Sequence, residues 1–101
     1  MNMQMIMQQA KKMQAQLKKD QEELEKKEYI GSSSKVSIKI NGKYEVLEVN
    51  INMDADESFD STDKDMLEDL ILVAFNDAVK KVAAEKENKL GKYGQGLSGL
   101  M

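Results

Sequence analysis

The chain has 101 residues, with 15 Lys, no Arg and 18 Asp or Glu, and a formal net charge of -3. It contains no Cys, His, Pro or Trp, which excludes disulfides, zinc sites, thiol nucleophiles and imidazole bases. A single domain of this length has a thin hydrophobic core, so we expect it to associate with another chain.

Charge is distributed unevenly along the chain. Residues 1–53 hold nine Lys and seven acidic residues, residues 54–69 hold one Lys and eight, and residues 70–101 hold five Lys and three. One acidic connector therefore separates two mildly basic ends, and the net charge is a poor guide to their partners. The apolar N-terminus reaches Lys11 and Lys12 too early for a signal peptide or membrane span, so we expect a cytoplasmic protein without a membrane partner.

The first predicted element is one long helix over residues 3–27, with a pattern typical of a coiled coil. Its heptad stripe is apolar at the start and becomes polar at Asp20 and Lys27. This predicts that the helix packs by its start and projects into water by its end. The apolar members of the stripe are Met3, Ile6, Ala10, Met13, Leu17 and Leu24.

Five lysines lie on the opposite face of this helix, spread over about 22 Å. Such a row can follow the phosphates of duplex DNA, which carries about one negative charge per 1.7 Å of axis, without reading its bases. The alternative is a solvated face neutralised by Lys–Glu pairs at i, i+4 spacing, with Glu22 and Glu23 as acidic members. The lysine row consists of Lys11, Lys12, Lys18, Lys19 and Lys26.

The middle of the chain predicts a three-stranded antiparallel sheet. Two stretches of alternating apolar and polar residues are joined by Asn41-Gly42, a strong hairpin signal. The alternation changes parity between Val46 and Leu47, which predicts a β-bulge there. A short edge strand begins at Tyr29. The alternating stretches are residues 36–40 and 47–53.

A second helix is predicted from the cap cluster Ser61-Thr62-Asp63 to about Leu90. Its apolar residues cover more than one stripe, so it needs cover on two sides, which a three-stranded sheet does not provide. We therefore expect a homodimer. Residues 1–90 form a single domain, and four glycines predict a flexible tail over residues 91–101. The predicted dimer interface is Met66, Leu67, Leu70, Ile71, Ala74, Phe75 and Ala78.

A second basic group lies toward the end of this helix, where cations also complement the helix dipole. Its position beside a Gly-rich tail suits a polyanion better than a shaped small ligand. Because no Arg is present, the commonest base-specific contact is missing, and weak sequence specificity follows. The candidate DNA-binding members are Lys80, Lys81, Lys86 and Lys89.

The acidic connector resembles a calcium loop in spacing only. Asp54 and Asp65 stand at its first and twelfth positions, but Phe59 occupies the position where the turn requires Gly. The connector carboxylates have no accompanying pocket signature, so a hydrolase is a remote alternative. We expect no metal, no cofactor, no small-molecule substrate and no enzymatic activity.

Five stretches of the chain together match the pattern of a known protein family: residues 7–14, 36–42, 63–71, 75–81 and 96–100. Through them the chain resembles, over nearly its whole length, the YbaB/EbfC family of bacterial nucleoid-associated proteins. The resemblance implies a helix, three-stranded sheet, helix subunit that dimerises into three layers with projecting helices. It also implies DNA binding with loose sequence preference and a role in nucleoid organisation, with DNA contacts on the projecting helices that carry the lysine row.

One alternative function belongs to a different class. The apolar stripe of the first helix also suits a dimeric protein-interaction module that docks a partner helix and binds no DNA. The docking residues would be Met3, Ile6, Ala10, Met13 and Leu17.

Overall fold

The elements of the chain follow the order helix, three strands, helix. A computed structural model describes residues 2–53 and 61–98. The three strands form one antiparallel sheet in the order β1-β2-β3, and α2 packs on β1 and β2. The predicted α+β fold is therefore confirmed. The elements are α1 (Met3–Lys26), β1 (Glu28–Ser33), β2 (Val36–Asn41), β3 (Val46–Ile51) and α2 (Ser61–Ser98).

The hydrophobic core lies between α2 and the first two strands. The residues of β2 that face α2 alternate with half-buried ones, as expected for a strand with one covered face. Gly31 of β1 lies directly against the backbone of α2, where a Cβ would collide with the backbone at Ala74 and Ala78. Small residues on both elements therefore set their separation. The core residues are Tyr29, Val36, Ile38, Ile40, Ala74, Ala78 and Val82.

The predicted bulge in β3 is confirmed. Lys39 lies opposite Glu48 and Ile40 lies opposite Val46, so Leu47 is the extra residue between the two pairs. The bulge places Val46 and Val49 on the same face of the sheet, which a regular strand could not do.

The predicted hairpin at Asn41-Gly42 is also confirmed, although the residue with positive φ is Tyr44, at 66°. The Asn41 side chain accepts two backbone N–H groups of the turn. Gly42 is needed for a different reason, because a Cβ there would collide with the backbone carbonyl of Leu24 in α1. The end of α1 therefore packs directly on this turn.

The predicted packing of α1 is wrong, because the helix packs by its end and extends away by its start. Residues 2–16 are exposed, whereas Asp20 and Leu24 are buried. Asp20 is polar, but Tyr93 of α2 donates a hydrogen bond to it, so the polar residue is satisfied at a buried position. The subunit is consequently elongated, at 72 × 22 × 15 Å.

The predicted end of the second helix near Leu90 is also wrong, because α2 continues to Ser98. Its last turns are held by Tyr93, which is only 7% exposed, and this packing outweighs the low helix propensity of Gly91. The division of the chain into a domain over residues 1–90 and a flexible tail stays a prediction. Across the described residues, neither helix is long and apolar enough to cross a membrane.

Candidate nucleic-acid interface

The lysine row of α1 is exposed along its whole length. All five side chains belong to the solvent-facing surface, on the side of the helix opposite to Asp20 and Leu24. Among the described residues, no carboxylate lies within ion-pair distance of any of the five. The row therefore presents five ammonium groups to solvent.

The Lys–Glu pairs that would neutralise this row are not formed within the described part of the chain. Glu23 instead accepts a hydrogen bond from Lys89 of α2, with 3.0 Å between Lys89 Nζ and Glu23 Oε2. One of the two acidic residues that the sequence offers to the row is thus engaged with the other helix. This contact favours the interpretation of the row as an anion-binding surface over that of a self-neutralised face.

The second basic group divides into two pairs. Lys81 donates to the backbone carbonyl of Ile30 at 2.7 Å and also lies 3.5 Å from Asp77. Lys89 binds Glu23, and this hydrogen bond is the main cause that raises the pKa of the Lys89 ammonium. Lys80 and Lys86, which are also exposed, form no ion pair with any described residue.

A polar cluster around the buried residues Asp20 and Tyr93, which we call the α1–α2 brace, fixes the direction of α1. The Tyr93 hydroxyl donates to Asp20 Oδ2 at 2.7 Å, and Gln16 Nε2 donates to Asp20 Oδ1 at 3.0 Å. Lys92 Nζ lies 3.6 Å from the same carboxylate. The Tyr93 hydrogen bond, with smaller contributions from Gln16 and Lys92, lowers the pKa of Asp20 despite its burial. These four residues define the brace.

Two ion pairs continue the contact between α1 and α2 beyond the brace, toward the end of α1, in antiparallel order. One is the Glu23–Lys89 pair, and the other joins Lys27 Nζ to Glu85 Oε1 at 3.0 Å. The contacts between α1 and α2 could not be predicted from the sequence, because the partners lie far apart in the chain. In the brace, 73 residues separate Asp20 from Tyr93. The one available signal was an isolated Asp within the heptad stripe, which does not identify its partner.

The residues predicted to form the dimer interface lie in three settings. Ala74 and Ala78 are fully buried in the core of the subunit. Met66 is 48% exposed. Two further residues of α2, Leu72 and Val73, were not predicted to lie in the interface, but they are 60% and 51% exposed. Leu67, Leu70, Ile71 and Phe75 are partly buried and pack against the core.

The start of α1 carries the residues of the alternative docking hypothesis. Met3 is 75% exposed, Ile6 49% and Met13 55%, whereas Leu17 is already half-buried. An apolar stripe is therefore open to solvent on the face opposite to the lysine row.

The first part of the acidic connector, residues 54–60, lies outside the described residues. Within residues 2–53 and 61–98, no group of three or more acidic side chains is arranged to hold a metal ion. The expectation that the connector holds neither a metal ion nor a hydrolase site stays a prediction.

Comparison with known proteins gives a consistent result. The sequence profile of the YbaB/EbfC DNA-binding family matches residues 1–97. A nucleoid-associated protein of Clostridium novyi (strain NT) is 44% identical over 100 residues, covering 97% of this chain and 85% of the relative. One from Ligilactobacillus salivarius is 37% identical over 99% of this chain and 95% of the relative. A third, from Francisella philomiragia, is 53% identical over 80% of this chain and 71% of the relative.

Proposed function

The chain belongs to the YbaB/EbfC DNA-binding family, and on that premise we propose that it binds double-stranded DNA as a homodimer through lysine–phosphate contacts. The observation that carries the proposal is the exposed lysine row of α1, whose members have no ion-pair partner among the described residues. A cationic row on a rigid helix gains affinity by releasing the counterions of DNA phosphates.

Specificity for sequence is weak in this proposal. Lysine contacts phosphate as a point charge, whereas bidentate reading of guanine is mainly a property of Arg, which this chain lacks. The amide side chains on α1 are six Gln, of which Gln16 is engaged in the brace, and the Asn2 side chain caps the helix by accepting from the Gln4 N–H. Phosphate contacts therefore supply most of the affinity.

The second basic group contributes unequally. Lys80 and Lys86 are available to phosphate, whereas Lys81 and Lys89 already have partners within the subunit. We place Lys80 and Lys86 in the DNA interface. For Lys81 and Lys89, contacts within the subunit compete with contacts to phosphate.

The homodimer is supported by the apolar surface that one subunit leaves open. Met66, Leu72 and Val73 of α2 are each about half exposed or more, and so are Val46 and Val49 of β3. An open apolar surface of this kind marks an interaction site on a protein of this size.

The cellular role that fits these properties is organisation of the nucleoid, with effects on gene expression or DNA repair. The relatives are named nucleoid-associated proteins, and a nucleoid location follows for this chain if it shares their role. The protein acts by binding, and we propose no catalytic step.

Gel-shift titration over a salt series tests the proposal. Unrelated duplexes and AT-rich duplexes should bind with similar affinity, and log K should fall linearly with log salt, by about 0.9 for each phosphate contact. Charge reversal in K11E/K18E should weaken binding at least tenfold while size-exclusion chromatography still reports a dimer. Unchanged binding by this variant would refute the lysine row as the interface.

The partner-helix hypothesis remains the second candidate, supported by the exposed stripe at the start of α1. Replacing Ile6 and Met13 with Gln would abolish capture of a protein partner but would leave the salt-dependent gel shift in place. Capture of a specific protein, with no gel shift even at low salt, would favour this candidate over DNA binding.

A further inference from the structure

The apolar stripe at the start of α1 continues the line of heptad positions along which the end of this helix packs. Asp20 and Leu24 occupy two of these positions and are buried in the subunit. Toward the start of the helix, Leu17 is half-buried and the four positions before it are exposed. We call these four residues the arm stripe: Met3, Ile6, Ala10 and Met13.

The described part of α2 ends before it reaches the arm stripe. Tyr93 of α2 binds Asp20, and Lys89 binds Glu23, so the two helices run antiparallel. Five residues beyond Tyr93 is Ser98, the last residue of α2, and five residues before Asp20 is Ala15. Because both helices rise equally per residue, α2 ends close to the level of Ala15, and the arm stripe lies beyond it.

The residues that flank the arm stripe carry no charge. They occupy the heptad positions on either side of the seam, where charges usually select the partner of a helix. Glu23 occupies a position of this kind farther along α1, and there Lys89 of α2 matches it at 3.0 Å. The flank of the arm stripe therefore selects neither an acidic nor a basic partner. The flanking residues are Asn2, Met7, Gln9, Gln14 and Gln16.

The lysine row does not approach this seam either. Its five members occupy the second and third positions of the heptad, on average about 160° around the helix from the arm stripe. An acidic partner helix would gain little from them, whereas an identical helix meets no like charge across the seam. This distribution of charge identifies a second copy of α1 as the partner of the arm stripe.

We propose that the arm stripes of two subunits from different dimers pair with each other in antiparallel orientation. The inference rests on the DNA-binding homodimer proposed above and names a helix that its exposed arms bind. Met3 of each arm packs against Met13 of the second copy, and Ile6 packs against Ala10. Each layer of the seam thus joins the two kinds of apolar heptad position, and the large Ile6 fills the space beside the small Ala10.

The antiparallel orientation follows from Ala10 and from the shape of the subunit. A parallel pair would oppose Ala10 to its own copy and leave a gap at the centre of the seam. It would also bring both subunit bodies to the same end of the pair. In the antiparallel pair the bodies lie at opposite ends, and four apolar layers are filled.

The arm pair is too small to hold free dimers together. The helix from Met3 to Met13 is about 15 Å long, which is less than two heptads, whereas a coiled coil is usually indicated by about three or four. The contact therefore forms weakly in solution. It gains from the high local concentration of dimers that are already bound to DNA.

Pairing leaves both lysine rows uncovered. Each row lies on the side of its helix opposite to the seam, so the two rows of an arm pair face outward in opposite directions. Two DNA segments can then be held on the two sides of the pair. The arm stripe thereby connects separate DNA segments that different dimers have bound.

A two-duplex capture assay tests this role. One duplex is fixed to beads, and the amount of a second, labelled duplex that the protein holds on them is measured. Met13→Gln places an amide in the seam twice per arm pair, so capture should fall about tenfold. Met5→Gln is the matched control, because Met5 is 59% exposed and Met13 55%, but Met5 lies about 120° around the helix from the arm stripe.

Gel shift of a short duplex by the same variants separates the possible failures. Both variants keep every lysine, so their affinity should stay within about twofold of the wild type. Capture that M13Q does not reduce, or that M5Q reduces equally, would overturn the arm pair and leave DNA binding intact. Absence of a gel shift in the wild type would instead refute DNA binding, and cross-linking without DNA would then decide the arm pair.

Cysteine cross-linking needs no DNA and uses a chain that has no native Cys. Gln9→Cys places a thiol beside the seam, where the thiols of two antiparallel arms approach each other. Gln8→Cys, one residue earlier, places it on the outer face of the same helix. With a short bismaleimide at millimolar protein concentration, Q9C should be linked about tenfold faster than Q8C.

Sedimentation of the cross-linked Q9C protein identifies the partner. A particle with twice the mass of the untreated protein supports a pair between dimers. An unchanged mass would place the link within one dimer and overturn the inference, as would equal rates for Q9C and Q8C. If neither variant is linked, a different molecule, such as a helix of another protein, occupies the arm stripe, and the inference is wrong.

Discussion

The five lysines of α1 and the four candidate lysines of α2 differ in what surrounds them. Those on α1 face solvent without an ion-pair partner among the described residues. On α2, Lys81 and Lys89 bind the backbone of β1 and a carboxylate of α1, whereas Lys80 and Lys86 remain available. Residues of one type therefore serve two purposes, and their neighbours decide which.

This difference teaches that lysine content alone is a poor measure of a DNA interface. An ammonium group that already donates to a carbonyl or carboxylate must give up that partner before it binds phosphate, so its net gain is smaller. A free ammonium on a preformed helix gives up only its counterions and water. If this division is correct, substitutions in the two groups should differ in both DNA affinity and thermal stability.

Neutralising the start of the lysine row should have the largest effect. In K11Q/K12Q/K18Q/K19Q, Gln preserves helix propensity while four charges are removed from each subunit. DNA affinity should fall well over tenfold, and the salt slope should decrease by about 0.9 for each phosphate that the variant no longer neutralises. An unchanged salt slope in gel-shift titrations, with the helix content of the wild type, would show that the row does not bind DNA.

Comparison of two double variants should separate the lysines of α2. K80Q/K86Q should lower the salt slope by up to about 2 per subunit without changing the Tm, because these residues contact no described carboxylate. K81Q/K89Q should change the slope less and lower the Tm by about 1–4 °C, because it removes folding contacts. Equal slopes and equal Tm values in the two variants would remove the distinction between them.

Loosening the α1–α2 brace should weaken DNA binding without removing any lysine. Tyr93→Phe deletes the hydroxyl that donates to Asp20, so the Tm should fall by about 2–5 °C. Amide hydrogen exchange in α1 should accelerate around residues 16–24, and DNA affinity should fall severalfold. Tyr44→Phe, at an exposed tyrosine, is the control, and acceleration of exchange by both variants would argue against the brace.

Acidification should change the Tm less than any of these substitutions, and near neutral pH it should have no effect through the Asp20 carboxylate of the brace. Because hydrogen bonding lowers the pKa of Asp20 below its ordinary value of 3.8, the stabilisation is complete above that pH and is lost as the pH falls through the lowered pKa. The Tm difference between the wild type and Asp20→Asn should therefore be constant above about pH 5 and narrow below 3.8. A difference that stays constant down to about pH 2 would show that Asp20 ionisation does not hold the brace.

The local elements of the fold were predictable from the sequence. The parity change at Val46 and Leu47 identified the bulge, since side-chain alternation in a strand is a local property. The cap cluster placed the start of α2, and the seven-residue spacing of Lys11 and Lys18 placed the row on one face. Each of these signals depends on residues close together in the chain.

The long-range contacts were not predictable in the same way. The polar residue Asp20 indicated exposure, but burial beside Tyr93 reversed that expectation. Gly91 indicated a helix end, but packing of the following turn carried the helix past it. Nor did the spacing of Glu23 and Lys19 show that Glu23 binds Lys89 instead. Each outcome depends on a tertiary partner that overrides a local preference.

The position of the brace gives α1 the mechanics of a lever. Its pivot lies between Gln16 and Lys27, while the helix from Met3 to Gln16 is a solvent-exposed arm of about 20 Å. A rotation of about 10° at the pivot would displace the tip by about 3 Å, close to the rise of one base pair of DNA. In a dimer with two such arms, the Tyr93 hydroxyl of each subunit would help to set the span of duplex that both arms can hold at once.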